Sequence, residues 1–340
     1  MKKIISLTLA LMFLLGILAV PALAEEAQPR KSGRLSYLAM TEEEALSLKA
    51  PINRPLRTLL VLYGVMESED GKPQKSTNQQ FDSLNALLMA LQSGEVDDIS
   101  LPYYTAKYLC STNDGIRIAT GYHPEKATGV AELALSLISD GYSFMLKEDN
   151  TALKDAFDAQ LTAMREDGTL KKLVDEHIIK VSEGGEPIAV AFDKFEGDSI
   201  KVGVSGDLPP MDYVTPDGAF AGFNTAVLAE IGRRIKKNIE LVQVENVGRA
   251  LALSEGAVDV VFWTRAQSES LVAFRTDGNE LKDIMAKAQD TLTEEEQAVL
   301  DLFNNPELEA LSKWESRDMP EGTIVTQPYF TDFPVLVTLK

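Results

Sequence analysis

Cysteine and histidine are almost missing from these 340 residues, and their scarcity removes several kinds of chemistry at once. Cys110 is alone, so no internal disulfide can form, and with nothing basic beside it the thiol reads as a small buried hydrophobe. His123 and His177 are far apart, which leaves neither a histidine metal cluster nor a Ser-His-Asp triad enough material. His177, beside Glu176 near a helix end, reads as a surface residue. Basic residues are scarce as well: 33 Lys and Arg face 52 Asp and Glu, for a net charge of −19. Such a field repels phosphate backbones and anionic membranes, so no nucleic-acid partner is expected. The stretch "GVSGD" stops short of a nucleophile elbow because Asp207 stands where the second glycine belongs, and a phosphate loop is absent. Carboxylates abound, but their surroundings single out no pair for acid–base work. The expectation is a chain with no enzymatic activity, no cofactor and no metal site.

Long apolar runs are also lacking, with one exception at the start. Lys2 and Lys3 precede an apolar stretch from Ile4 to Val20, then Pro21 and Ala22-Leu23-Ala24, followed by Glu25 and Glu26. This is the layout of a secretory signal peptide over residues 1–24 with cleavage after Ala24, a retained membrane anchor being the other reading. Cleavage takes the net charge to −21 and leaves a protein expected outside the cytoplasm, extracellular or periplasmic.

The remainder has 45% apolar residues over the whole chain, enough for substantial cores, and one pattern occurs twice. "ALLMALQSGEVDDIS" (Ala86 to Ser100) and "RALALSEGAVDVVF" (Arg249 to Phe262) share Leu-x-x-Gly-x-Val-Asp, at 91–97 and 253–259. In each, a helix-period run halts at a glycine suited to positive φ and an apolar strand follows, as in an α/β lobe. Leu59 to Tyr63 reads as a buried strand, and Met66 to Gln80 as a loose polar stretch. Thr41 with Glu44 offers a capping box for a short helix ending before Pro51. Tyr142 to Lys147 reads as a strand, followed by a helix with the stripe Leu153, Phe157, Leu161 and Met164 and a second short helix from Thr169. Val181 to Ser199 reads as a linker, and Thr291 or Thr293 as a cap before an amphipathic helix.

From Ile200 onward, the chain resembles the first lobe of extracellular solute-binding proteins that serve amino-acid ABC transporters, which have the type II periplasmic-binding fold. The residues carrying this are the Pro209-Pro210 loop, Tyr213, the turn at Asp217-Gly218, Gly222-Phe223 opening a helix, and the Gly256 to Asp259 step. "TQPYFTDFPVLVTLK" is similar to that family's crossing strand, while residues 57–180 resemble its second lobe and return helices. The order is therefore inverted. The expected organisation is an α/β lobe at 33–147, return helices at 148–180, a linker at 181–199 and a second lobe at 200–340 with a helical insertion at 266–322. Circular permutation explains this order; two half-modules completing each other in a swapped dimer is the alternative to a monomer.

The resemblance implies capture of a small polar ligand, possibly an amino acid in that family's manner, by lobe closure and delivery to an ABC permease; a sensory or interaction module with a degenerate fold is the rival. It also implies an arginine for a ligand carboxylate just after the Asp259 strand. Arg265 is nearest, with Thr264 adding a hydroxyl and Trp263 a flat wall, against a surface Arg and a core Trp. Asp207, Leu208 and Tyr213 belong to the first-lobe loop and Tyr329 to the crossing motif. The family's aromatic before Pro-Pro is Leu208 here, and its acidic partner for a ligand ammonium falls at Pro102, with Tyr103 and Tyr104 beside it.

Overall fold

The computed structural model describes residues 29–35, 60–67, 76–119, 121–128, 139–245, 248–266 and 319–340, with isolated positions between them. The leader at 1–24, the Thr41–Glu44 box and most of the 266–322 insertion lie outside the described residues. Within the insertion, Thr293 and Glu296 form a reciprocal cap: the Glu296 amide donates to Thr293 Oγ1 (3.2 Å) and the Thr293 amide to Glu296 Oε2 (3.0 Å).

The elements are β1 (Arg30–Leu35), β2 (Ser76–Phe81), α1 (Leu84–Ser93), β3 (Asp98–Pro102), α2 (Tyr103–Thr112), β4 (Ile116–Ile118), β5 (Asp140–Lys147), α3 (Thr151–Glu166) and α4 (Thr169–Val174). A π turn, Asp175–Ile179, and a last helical turn at Lys180–Ser182 end the first half. The second half has β6 (Ser199–Val204), β7 (Asp207–Leu208), β8 (Asp212–Val214), β9 (Phe220–Ala221), α5 (Phe223–Ile235), β10 (Asn238–Gln243) and α6 (Arg249–Ser254). It closes with β11 (Val260–Ala266), β12 (Thr323–Val325), β13 (Phe330–Asp332) and β14 (Pro334–Leu339).

Two sheets organise these elements, and each borrows a strand from the other half of the chain. The first runs β2-β1-β3-β14-β4, the second β10-β6-β11-β5-β12, with β13 also on β5. In each, three strands of the home half run parallel and the borrowed strand enters antiparallel beside the third. The result is an α/β molecule of two lobes tied by crossing strands. β5 was assigned by sequence to the lobe at 33–147, yet it pairs in the second sheet, where its continuous apolar face buries Tyr142, Phe144 and Leu146 against Phe157, Val202 and Phe262.

The repeated motif has a shared job. Gly94 and Gly256 both end their helices at φ 75, and Val96 and Val258 behind them are buried. Asp97 Oδ2 then accepts from the Lys31 amide and Asp259 Oδ2 from the Lys201 amide, each at 2.8 Å, while each Asp amide donates back to the same lysine's carbonyl. The motif thus clamps the third strand of each sheet to its first.

Three expectations differ from what is observed. Leu59–Tyr63 is not a strand: Leu60–Leu62 is helical, with Leu60 fully buried and Gly64 at φ 68 turning the chain. The first strand is β1, whose polar sequence hides it; Gly33 passes so close under α1 that a Cβ there would come 2.8 Å from Leu87 Cδ1. The loose stretch 66–80 ends in β2, a sheet edge where one face of polar side chains meets water without penalty. His177 is also buried rather than on the surface, and desolvation pushes its imidazole below the ordinary histidine value.

Each lobe has its own core. Leu87, Leu91, Ile99, Leu101 and Val337 centre the first; Phe144, Phe157, Phe223, Leu228 and Ile231 centre the second. Burying each such side chain contributes about 1.5–3 kcal/mol. The segment 181–199 is strapped to the second lobe: Val190 donates to the Phe220 carbonyl, Phe195 donates to Asn238 Oδ1, and Asn238 Nδ2 returns bonds to the Phe195 and Gly197 carbonyls.

Candidate functional site

The candidate site is the seam where the start of α2 meets the loop after β6. α2 follows β3 without a loop; Pro102, in extended conformation and without an N–H, makes the break. The helix N-terminus is then closed by the hinge strand. The Tyr103 amide donates to the Phe333 carbonyl (3.0 Å) and the Tyr104 amide to Asp332 Oδ2 (3.1 Å). Asp332 belongs to β13 of the second sheet, so one carboxylate joins the lobes. Buried there, and facing Asp140 across the strand pair, it is pushed up to about 7 by desolvation, against the pull of the amides it accepts from.

Across the seam, β7, β8 and β9 form a small antiparallel sheet over a loop containing the cis bond Pro209–Pro210. Gly222, at φ 108, lets this sheet lie directly on α5: a Cβ there would sit 2.3 Å from the Met211 carbonyl oxygen. The first amides of α5 are spent like those of α2. Phe223 donates to the Pro210 carbonyl (2.9 Å) and Asn224 to the Met211 carbonyl (2.8 Å).

Beneath the loop runs a buried polar relay. Asp212 accepts from Ser205 Oγ (3.1 Å), the Gly206 amide (3.3 Å) and Asn224 Nδ2 (3.3 Å), and Asn224 Oδ1 accepts from the Tyr329 hydroxyl (2.9 Å). The guanidinium of Arg249 is buried alongside, donating to the Phe262 carbonyl at 2.8 Å. Burial pushes the Asp212 carboxyl up while Arg249 pulls it back; burial lowers Arg249 while Asp212 and Asp207 raise it. This is internal charge compensation that fixes the loop.

Among the residues expected from sequence, the structure gathers Tyr103, Tyr104, Leu208, Tyr213, Asp207 and Tyr329 around the seam and the relay beneath it. Tyr103 packs edge-on against Tyr104 (5.0 Å between centroids) and Tyr122 (4.7 Å), and Tyr104 reaches Phe330 of the other lobe at 5.9 Å. Leu208 packs against both cores. Tyr213, whose phenol burial pushes up to about 12, lies 6.2 Å from Tyr108 of the first lobe. Asp207 pairs with Tyr213 in the small sheet. Tyr329 is buried in the relay.

The other three stand on β11. Trp263 is 3% exposed, in a cluster with Met145, Leu253, Val258 and Val261, the Arg249 guanidinium 5.9 Å from its ring. Thr264 is exposed. Arg265 lies opposite Gly141 in the strand pairing, and its side chain is outside the described residues.

Sequence reading missed Tyr108, Asp332, Asn224 and the Lys107–Glu183 ion pair (2.8 Å) that ties α2 to the turn at 180–182. Tyr108 was findable, since it follows Tyr104 by one helical turn. Asp332 was not, because "YFTDF" gives no sign that its acid is buried.

Residues 200–313 match the family model of bacterial extracellular solute-binding proteins, family 3. That span holds β6 to β11, the relay from Ser205 to Asn224, and Arg249. No curated protein matches the chain in sequence. Among solved structures, it is similar to the ligand-binding component of an ABC-type import system from Staphylococcus aureus, at 12% identity and TM-score 0.35, over 92% of this chain and 66% of that one. An arginine transport-system periplasmic binding protein from Legionella pneumophila gives 9% identity and TM-score 0.34, over 92% and 86%. The VFT2 domain of BvgS from Bordetella pertussis gives 12% identity and TM-score 0.30, over 91% and 80%. Among the described residues no helix is long and apolar enough to cross a membrane, and no group of His, Cys, Asp and Glu is placed to hold a metal ion.

Proposed function

We propose that the chain is an extracellular solute-binding protein, exported by its leader and cleaved after Ala24, that captures a small polar solute between its lobes for an ABC importer. The observation that carries this reading is the reciprocal strand exchange: two α/β lobes joined by antiparallel crossing strands, with side chains from both meeting at one seam. Hinge closure about a few strand-end residues such as Phe333 is the motion this architecture allows. The family match over 200–313 agrees with it. The protein is read as a monomer, a reading supported by β5 and β14 completing both sheets within one chain. The lobe order is read as a circular permutation whose joint is the strap at 181–199. Rejoining β14 to β1 and opening the chain within that strap should give a protein that folds with unchanged ligand behaviour; failure to fold removes the permutation.

Thermal-shift screening of the secreted protein against amino acids, organic cations and organic acids tests the function. A true ligand at 100 times its dissociation constant adds about 2.7 kcal/mol to stability. A second reading has its own support: Tyr108 on Tyr213, Lys107 on Glu183 and Leu208 in both cores hold the lobes together through the chain's own contacts. A sensory or protein-interaction module fits that latch. Absence of any solute-induced shift, together with retention by an envelope protein, selects it.

A further inference from the structure

We propose that the seam selects small organic cations and discriminates against carboxylates, an inference that rests on the solute-binding reading above. Its wall is aromatic from both sides: Tyr103, Tyr104 and Tyr108 on α2, and Tyr213 across from them. Ring faces attract a cation through their quadrupole, and the attraction grows as water is excluded. The charges around the wall have the same preference. Glu125, Asp332 and Glu183 all act on Tyr103 and Tyr104 in the direction that disfavours a negative phenolate, adding to desolvation. Lys107, paired with Glu183 at 2.8 Å, is a cation on the same helix, and removing it deepens the negative field.

Among the described residues, the helix-start amides that could grip a carboxylate in such a cleft are already used. The first amides of α2 go to Phe333 and Asp332, and those of α5 to Pro210 and Met211. An incoming carboxylate therefore finds the amides at both helix starts already paired, with Phe333 and Asp332 at one and with backbone carbonyls at the other. A net charge of −19, or −21 once Lys2 and Lys3 leave with the leader, adds long-range steering of cations towards the molecule.

Calorimetric titration of the full secreted chain tests the proposal with choline and agmatine as cations lacking a carboxylate, arginine as a cation that carries one, and glutamate and succinate as anions. At least one of the two cations should bind at least tenfold tighter than arginine, with no heat from succinate, and the affinity should fall as salt rises. Two charge-removing variants, one at an exposed and one at a half-buried position, give opposite signs: Glu125→Gln weakens cation binding several-fold and Lys107→Gln strengthens it, a pair of shifts that general damage to the fold does not produce. Arginine, glutamate or succinate binding as tightly as the cations overturns the proposal and leaves the solute-binding reading standing. Silence from all five probes overturns the proposal; silence across the wider thermal-shift screen as well removes the solute-binding reading.

Discussion

The two lobes reach the same strand order with very different sequences. In the second, β6 (SIKVGV) is an ordinary apolar strand; in the first, β1 (RKSGRL) occupies the same place with hardly an aliphatic side chain. What they share is the clamp: Lys31 and Gly33 in one, Lys201 and Gly203 in the other, each lysine bonded through its backbone to the Asp of the repeated motif. Each glycine also lies where the strand is crowded, by Leu87, Phe81 and Ile99 in β1 and by Val244 and Val261 in β6. Position in these sheets is set by backbone pairing and close approach as much as by hydrophobicity.

The largest test of that equivalence lies in the borrowed strands. Phe144→Ala in β5 should cost about 4 kcal/mol, seen as a lower urea midpoint, because a fully buried ring is lost. Val337→Ala in β14, truncating a smaller side chain that is also fully buried, should cost roughly half as much. Equal losses would mean that the first lobe depends on its guest strand more than its size implies.

Next in size is the hinge. Asp332 binds its proton more tightly in the fold, near pH 7, than an unfolded aspartate does. Its contribution is therefore fully present in acid below the unfolded value and is lost as pH rises towards 7. Unfolding midpoints of the native chain should fall between pH 5 and 8, and Asp332→Asn should flatten that slope; an unchanged slope would show that the carboxylate is already ionised at pH 5.

Asp97→Ala and Asp259→Ala should each cost about 1–2 kcal/mol in urea unfolding, and by similar amounts, since each removes one acceptor from a strand amide. The smallest effects belong to the helix ends: Gly94→Ala and Gly256→Ala, both at φ 75, should each lower stability by about 1 kcal/mol. A large gap within either pair would break the analogy between the lobes.

Much of this architecture could be read from residues alone. The doubled Leu-x-x-Gly-x-Val-Asp gave two α/β units, and the apolar run at Tyr142–Lys147 gave a strand, though not the sheet it joins; partner choice is decided by which core its two faces fill. β1 escaped because a strand held by glycine packing and backbone clamps has no alternation to detect. At the seam, the tyrosines and Leu208 were visible as unusual residues at loop and helix starts. The relay through Asn224 and the burial of Asp332 were not, because each depends on groups more than a hundred positions away along the chain.

Strand exchange also has a temporal meaning. β14, which pairs with β3 from Pro334 opposite Pro102, comes at the end of the described strands, so the earliest sheet remains incomplete until almost everything else has been synthesised. Contacts so remote make folding slow and leave a long-lived open chain. A polypeptide that stays unfinished for that long is well matched to the export we propose for it, since it can be threaded through a channel before it collapses.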